Sequence, residues 1–106
     1  MAALLKLAVT HYDAQEVVLP GQVPGIRMTV FGGWFPIRAV EPEILVGESK
    51  AELVEVARNQ RSIRGYFRHV PPDRARILVR YGDSQEGILE QRFDSTKIRP
   101  LPIDCP

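Results

Sequence analysis

The sequence predicts an α+β domain: an antiparallel sheet, curled toward a small barrel, with one helix near residues 49–60 packed on it. Three observations lead there. Ser62–Val70, Arg76–Tyr81 and Glu86–Phe93 are strand-length runs whose apolar and polar residues alternate, the period of a half-buried strand. Turn-forming clusters separate them, Pro71-Pro72-Asp73 and Gly82-Asp83-Ser84. Ser49-Lys50-Ala51-Glu52 has the form of a capping box, in which Ser49 accepts from first-turn amides while Glu52 reaches back.

A chain of 106 residues is sized for a single domain, 1–106, with one modest core. Its 44% hydrophobic and 25% charged residues exclude global disorder. The formal net charge of +1 names no partner class, but the charge is unevenly spread. Residues 1–57 carry four basic and seven acidic side chains, whereas 58–80 carry seven arginines against Asp73 alone. A basic middle of this kind can mark an anion or nucleic-acid surface. The single cysteine, Cys105, allows no disulfide within the chain, which favours a reducing compartment and leaves pairing between chains open. The apolar start, Met1–Val9, is short and lacks a small-residue cleavage site, so no signal peptide is read. No stretch is long enough to span a bilayer. The expectation is a soluble cytoplasmic protein with no membrane partner.

Taken in order, Leu5, Leu7 and Val9 alternate with Lys6, Ala8 and Thr10 as a strand would. Leu4, Leu7, Ala8 and Tyr12 would equally suit one helix face; the strand is preferred. Glu16–Leu19 reads as a short strand ended by Pro20-Gly21, and Pro24-Gly25 as a further turn. Ile26–Phe31 and Trp34–Val40 flank Gly32-Gly33, a two-residue hairpin signal. That hairpin would pair Val30 with Phe35, Met28 with Ile37 and Ile26 with Ala39, and on its other face Phe31 with Trp34, Thr29 with Pro36 and Arg27 with Arg38. Pro36 has no N–H for the ladder, which calls for a bulge, a frayed ladder or an edge there. After Glu41-Pro42 the helix begins at Ser49. Leu53, Val54 and Ala57 would form its apolar face, with Glu48, Glu52 and Glu55 early and Arg58 and Arg61 late to suit its dipole.

The three strands of the opening observation are expected to form a meander, with Lys97–Leu101 as a fourth strand. Ile63, Gly65 and Phe67 would face inward together with Ile77, Val79 and Tyr81. Outward, Arg68 would oppose Arg76, Tyr66 oppose Leu78, and Arg64 oppose Arg80; like charges so placed cost up to about 1 kcal/mol. A third strand with Glu86 opposite Arg80, Ile88 opposite Leu78 and Glu90 opposite Arg76 offsets that.

Arg64, Arg68 and Arg74 have no carboxylate in this scheme. With Tyr66 they form the candidate anion or nucleic-acid surface, Arg giving bidentate contacts and Tyr a stacking face. The plain alternative is a solvated, salt-bridged sheet face. Phe31 and Trp34 are the candidate partner-binding pair, or else a second core layer. His11, His69 and Cys105 show no metal-ligand spacing, so neither metal nor cofactor is expected. His69 beside Arg64, Tyr66 and Arg68 would suit acid–base cleavage of RNA, against the plain reading of a surface histidine.

Ile77-Leu78-Val79-Arg80-Tyr81-Gly82-Asp83-Ser84-Gln85-Glu86 is an apolar strand, a Gly-containing turn and an acidic residue; Phe93–Pro102 is a short turn and a closing strand. Together they resemble the second half of a Tudor-type, SH3-like small barrel, over Ser62–Pro102 at most. The resemblance implies a peptide-binding module that holds methylated Lys or Arg in an aromatic cage. Tyr81 matches a cage aromatic, while Arg80 replaces the family's usual Asp and Asp83 its usual Asn. The leading expectation is a small non-enzymatic binding module for protein or nucleic acid. The alternatives are a small RNA-cleaving enzyme and a structural, self-associating protein that uses Phe31 and Trp34.

Overall fold

The computed structural model describes residues 5–37, 41–82 and 85–101. Met1–Leu4, Arg38–Val40, Asp83, Ser84 and Cys105, on which parts of the sequence reading fall, lie outside them. The described chain forms β1 (Leu5–Lys6), β2 (Val9–Leu19), β3 (Val23–Gly32), β4 (Glu43–Val46), β5 (Ser49–Lys50), β6 (Glu52–Val56), β7 (Ser62–Phe67), β8 (Arg76–Tyr81) and β9 (Gln85–Arg92). A 3-10 turn at Ser95–Lys97 follows. The strands build two sheets, ordered β2-β3-β7-β6 and β1-β9-β8-β4-β5. Neighbours are antiparallel except β1 and β9.

The sheets meet face to face. Met28, Val30, Ile63 and Phe67 of the first pack with Ile44, Ile77, Val79 and Tyr81 of the second in one buried core. If β2, β3, β4, β6, β7, β8 and β9 are lettered A to G, these strands take the order A-B-E-D in one sheet and G-F-C in the other, an order also found in immunoglobulin-type sandwiches, with β1 and β5 added at the two edges of the second sheet. No helix among the described residues is long and apolar enough to cross a membrane.

This architecture corrects the α+β expectation: the described chain is nearly all β, in two sheets that do not close into a barrel, and the helix near 49–60 does not form. Ser49 sits in β5 opposite Val46, across a turn in which Gly47 takes φ 62°. A cap is a local effect of about 1 kcal/mol. Against it, the run Ser49–Val56 places Ala51 in the core and Val54 and Val56 against it, in the extended form that β-branched residues favour.

The Gly32-Gly33 hairpin does not form either. β3 is a central strand, with β2 on one edge and β7 on the other, and neither glycine takes the positive φ such a turn needs. The turn that does form is Pro20-Gly21-Gln22, between β2 and β3, and Pro24-Gly25 lies inside β3. Phe35 is fully buried whereas Trp34 is 57% exposed, so Phe31 and Trp34 are not cross-strand neighbours.

The expected meander is also corrected. β7 and β8 belong to opposite sheets, so the arginine oppositions between them do not exist. Their inward faces are those the alternation indicates. Between β8 and β9, Arg80 opposes Glu86 and Leu78 opposes Ile88 as expected, but a bulge then sets Arg76 against Arg92 instead of Glu90. In place of a fourth strand, Arg99 makes a single parallel bridge to Gln15, its N–H donating to Ala14 O at 2.9 Å and its carbonyl accepting from Glu16 N at 2.8 Å. Tyr12 Oη, which accepts from Asp94 N at 2.9 Å, ties down the start of that segment.

At Ala51 the chain passes from the second sheet to the first. Ala51 N donates to Ile44 O at 2.9 Å, and a Cβ on Gly65 would lie 2.6 Å from Ala51 Cβ and 3.1 Å from Ile44 Cδ1. Gly65→Ala should therefore cost about 1–3 kcal/mol by overpacking, seen as a lower denaturant midpoint with native-like spectra. Asp94 accepts from Thr96 Oγ1 at 2.6 Å and Thr96 N at 2.9 Å, and these bonds hold its carboxyl below its ordinary pKa. The stability this adds is present above the ordinary carboxylate pKa and fades as pH falls through the depressed one. Thr96→Val should raise the Asp94 pKa in an NMR titration.

Candidate functional site

Alternation along β2, β3 and β7 sends one residue of each pair to the outer face of the first sheet. Gln15, Arg27, Tyr66 and Glu52 form one row across its four strands, and Asp13, Thr29, Arg64 and Glu55 the next. Toward the β2–β3 turn, Val17 opposes Gly25, and Leu19 folds down over Gly25, where a Cβ would lie 2.5 Å from Leu19 Cδ1. Across the sheet β6 is bulged: its register shifts between Glu52 and Glu55, and Leu53 takes the left-handed φ of 48°. The bulge turns the Leu53 side chain outward, 69% exposed.

Between these features runs an open groove of about 530 Å³. Val17, Leu19 and Pro20 line one side and Leu53 the other, with Arg27 and Tyr66 between and the Arg68–Glu52 pair at the rim. A second groove of about 510 Å³ shares Leu53 but is lined by Glu41, Glu43, Lys50 and Glu52. Its Glu43 already serves Arg80 at 3.3 Å and Lys50 at 3.6 Å, and its Glu52 serves Arg68.

The cations of the first sheet's outer face differ in how they are satisfied. Arg68 Nε donates to Glu52 Oε2 at 2.7 Å, a hydrogen bond that, with the carboxylate's charge, raises the pKa of the exposed guanidinium. Arg99 makes a two-pronged contact with Asp13, Nε to Oδ1 at 3.0 Å and Nη2 to Oδ2 at 2.6 Å. Arg27 is half-buried in the central strand. Among the described residues its hydrogen-bond partner is Gln15 Oε1, 3.1 Å from Nη2, and no carboxylate lies within ion-pairing distance. That same oxygen also accepts from Arg99 Nη2 at 3.1 Å. A guanidinium carries five donors, so most of those on Arg27 remain for solvent or a ligand.

Of the residues singled out from sequence, Tyr66 and Arg68 come together at this groove, and Arg64 stands in the adjoining row with Glu55 opposite it. Arg74 does not join them. It lies in the β7–β8 connection at φ 66°, its N–H on Phe93 O and its carbonyl accepting from Arg92 Nη1. Phe31 lies at the far end of the same outer face, stacked on His11 at 4.5 Å, and His69 is exposed just past the other end of β7. Tyr81, the cage-like position, is 1% exposed in the core.

Arg27 and Leu53, like Val17, Leu19 and Pro20, are groove residues that the sequence does not single out. The sequence places Arg27 on the Gly32-Gly33 hairpin and Leu53 on a helix face. The alternation Ile26-Arg27-Met28-Thr29-Val30 already marks Arg27 as outward on a buried strand. Among the described residues no cluster of three or more His, Cys, Asp or Glu could hold a metal ion. No protein-family model matches the chain, and no match is found among curated proteins or solved structures.

A left-handed backbone costs a non-glycine residue about 1–2 kcal/mol, and glycine's greater freedom in the unfolded chain returns about 0.5–1 kcal/mol of that. Leu53→Gly should therefore raise stability by up to about 1.5 kcal/mol, measured by chemical denaturation, although it removes one wall of the groove.

Proposed function

We propose that the chain is a small binding module whose ligand is a protein segment laid in the groove on the outer face of the first sheet. An apolar side chain of the ligand lies between Leu19 and Leu53, and a ligand carboxylate meets Arg27. The observation that carries this reading is the half-buried Arg27 guanidinium, served by one shared, neutral acceptor between two apolar walls. A carboxylate takes two parallel N–H bonds from such a group, and the apolar walls reduce water's competition for them.

Protein is favoured over nucleic acid because the groove and its surroundings mix cations with the chain's own carboxylates. Arg68 is paired with Glu52 and Arg99 with Asp13, and Arg64 has Glu55 as its cross-strand neighbour. Cations already neutralised in this way contribute little to phosphate binding driven by counterion release. The strained, exposed Leu53 fits the same reading, since positions held at a backbone cost cluster at ligand contacts.

The test is peptide-display selection on the wild-type chain, followed by titration of the enriched synthetic peptides against Arg27→Gln and Arg64→Ala. Enriched peptides should set an Asp or Glu close to a large apolar residue. Arg27→Gln should weaken them by about 1.5–3 kcal/mol, the worth of a charged hydrogen bond, without moving the unfolding midpoint, while Arg64→Ala changes little. Equal binding to Arg27→Gln would remove the reading. Salt-dependent RNA retention lost with Arg64 and Arg68 would replace it with the nucleic-acid one.

A further inference from the structure

The opposite end of the sandwich carries a second surface, independent of the groove. After β3 the chain does not turn back but runs beside the β6–β7 connection. Gly32 N donates to Arg61 O at 3.0 Å, Phe35 N to Gln60 O at 2.6 Å, and Gln60 Nε2 to Phe35 O at 3.0 Å. Phe35 is thereby anchored in the core, and the residues around it are left outside: Trp34 is 57% exposed and Ile37 67%. The connection that holds them presents Arg58 and Arg61, both exposed, with no carboxylate within ion-pairing distance among the described residues. Gln60 itself is held at φ 59°, so the support is a defined turn.

We propose that this end is a docking surface for an acidic segment of a partner protein, with Trp34 and Ile37 as apolar anchors and Arg58 and Arg61 as the flanking cations. The charge decides the class of partner. Two arginines with no carboxylate among the described residues, on the connection hydrogen-bonded to the segment that carries two exposed apolar side chains, match a segment that alternates carboxylates with apolar residues. Tryptophan and arginine are also the residue types that most often dominate binding energy at protein interfaces. In sandwiches of this connectivity the loops gather at the two ends, where they are free to bind without disturbing the core.

Trp34 is the only tryptophan of the chain, so its fluorescence reports on this surface directly. The probe is a decapeptide alternating Glu with Leu and Phe, compared with the same peptide carrying Lys for Glu. The acidic peptide should shift Trp34 emission to the blue in a saturable titration, and the basic one should not. Arg58→Gln combined with Arg61→Gln should weaken the titration about tenfold or more with an unchanged unfolding midpoint. Ile37→Ser should weaken it too, whereas Arg27→Gln in the distant groove should leave it unchanged. The proposal is overturned by no shift with the acidic peptide, by equal shifts with both peptides, or by loss of the shift in Arg27→Gln. It is equally overturned if the shift comes only from vesicles of phosphatidylcholine with phosphatidylserine, or simply from raising the concentration of the protein itself.

Discussion

The contact between Ala51 and Gly65 governs much of this molecule. There the run Ser49–Val56 leaves the second sheet and enters the first, and the crossing brings Ala51 Cβ to a place only a glycine on β7 leaves open. Close packing of interiors makes such a position intolerant of even one extra carbon. The same crossing leaves β6 out of step with β7, and the mismatch is absorbed by the bulge between Glu52 and Glu55. Val54 turns in toward the core and Leu53 is left outside in a left-handed conformation. A demand of the core thus becomes a feature of the surface.

Which faces β7 and β8 bury was legible in the sequence, and so was the pairing of β8 with β9; that β7 belongs to the other sheet was not. The alternation in Ser62–Phe67 and Arg76–Tyr81 indicated the inward residues correctly, because side-chain direction follows a period that each strand carries alone. Partner choice depends on contacts far apart in sequence, so two strands with matching faces can belong to one sheet or to two that oppose each other. The capping box at Ser49 and the Gly32-Gly33 signal misled for a related reason. Both are local preferences of modest energy, and burial of Ala51 and Phe35 with pairing on both edges of β3 outweighs them. The site divides the same way. Tyr66 and Arg68 were legible as outward residues of one strand, whereas Arg27 and Leu53 needed the strand order and the bulge.

The strand order resembles that of immunoglobulin-type sandwiches, but that carries no function by itself, since such architectures host many unrelated ones. Function has to be sought where the outer surface departs from self-sufficiency. By that standard the apolar row Leu45, Leu78 and Ile88 on the second sheet is ordinary, a half-covered stripe beside the Glu43–Arg80 pair. The ends of β3 are not ordinary. Among the described residues, one has a half-buried cation without a carboxylate, and the other has exposed Trp34 and Ile37 next to a connection whose Arg58 and Arg61 have no carboxylate within ion-pairing distance.

Gln15 is the residue on which the proposal of an anionic ligand rests. Its single side-chain carbonyl accepts from both Arg27 and Arg99, each at 3.1 Å, while Asp13 is taken up by Arg99 alone. Among the described residues, two guanidiniums therefore share one neutral acceptor and one carboxylate, and the surplus charge rests on Arg27, the more buried of the two. A buried cation is costly in proportion to what water can no longer supply. Glu52, on the far side of the groove, is committed to Arg68, and Gln15 is already shared. Among the described residues Arg27 thus has no carboxylate of its own, and in the proposed reading a carboxylate presented between Leu19 and Leu53 would supply one where water is least able to compete.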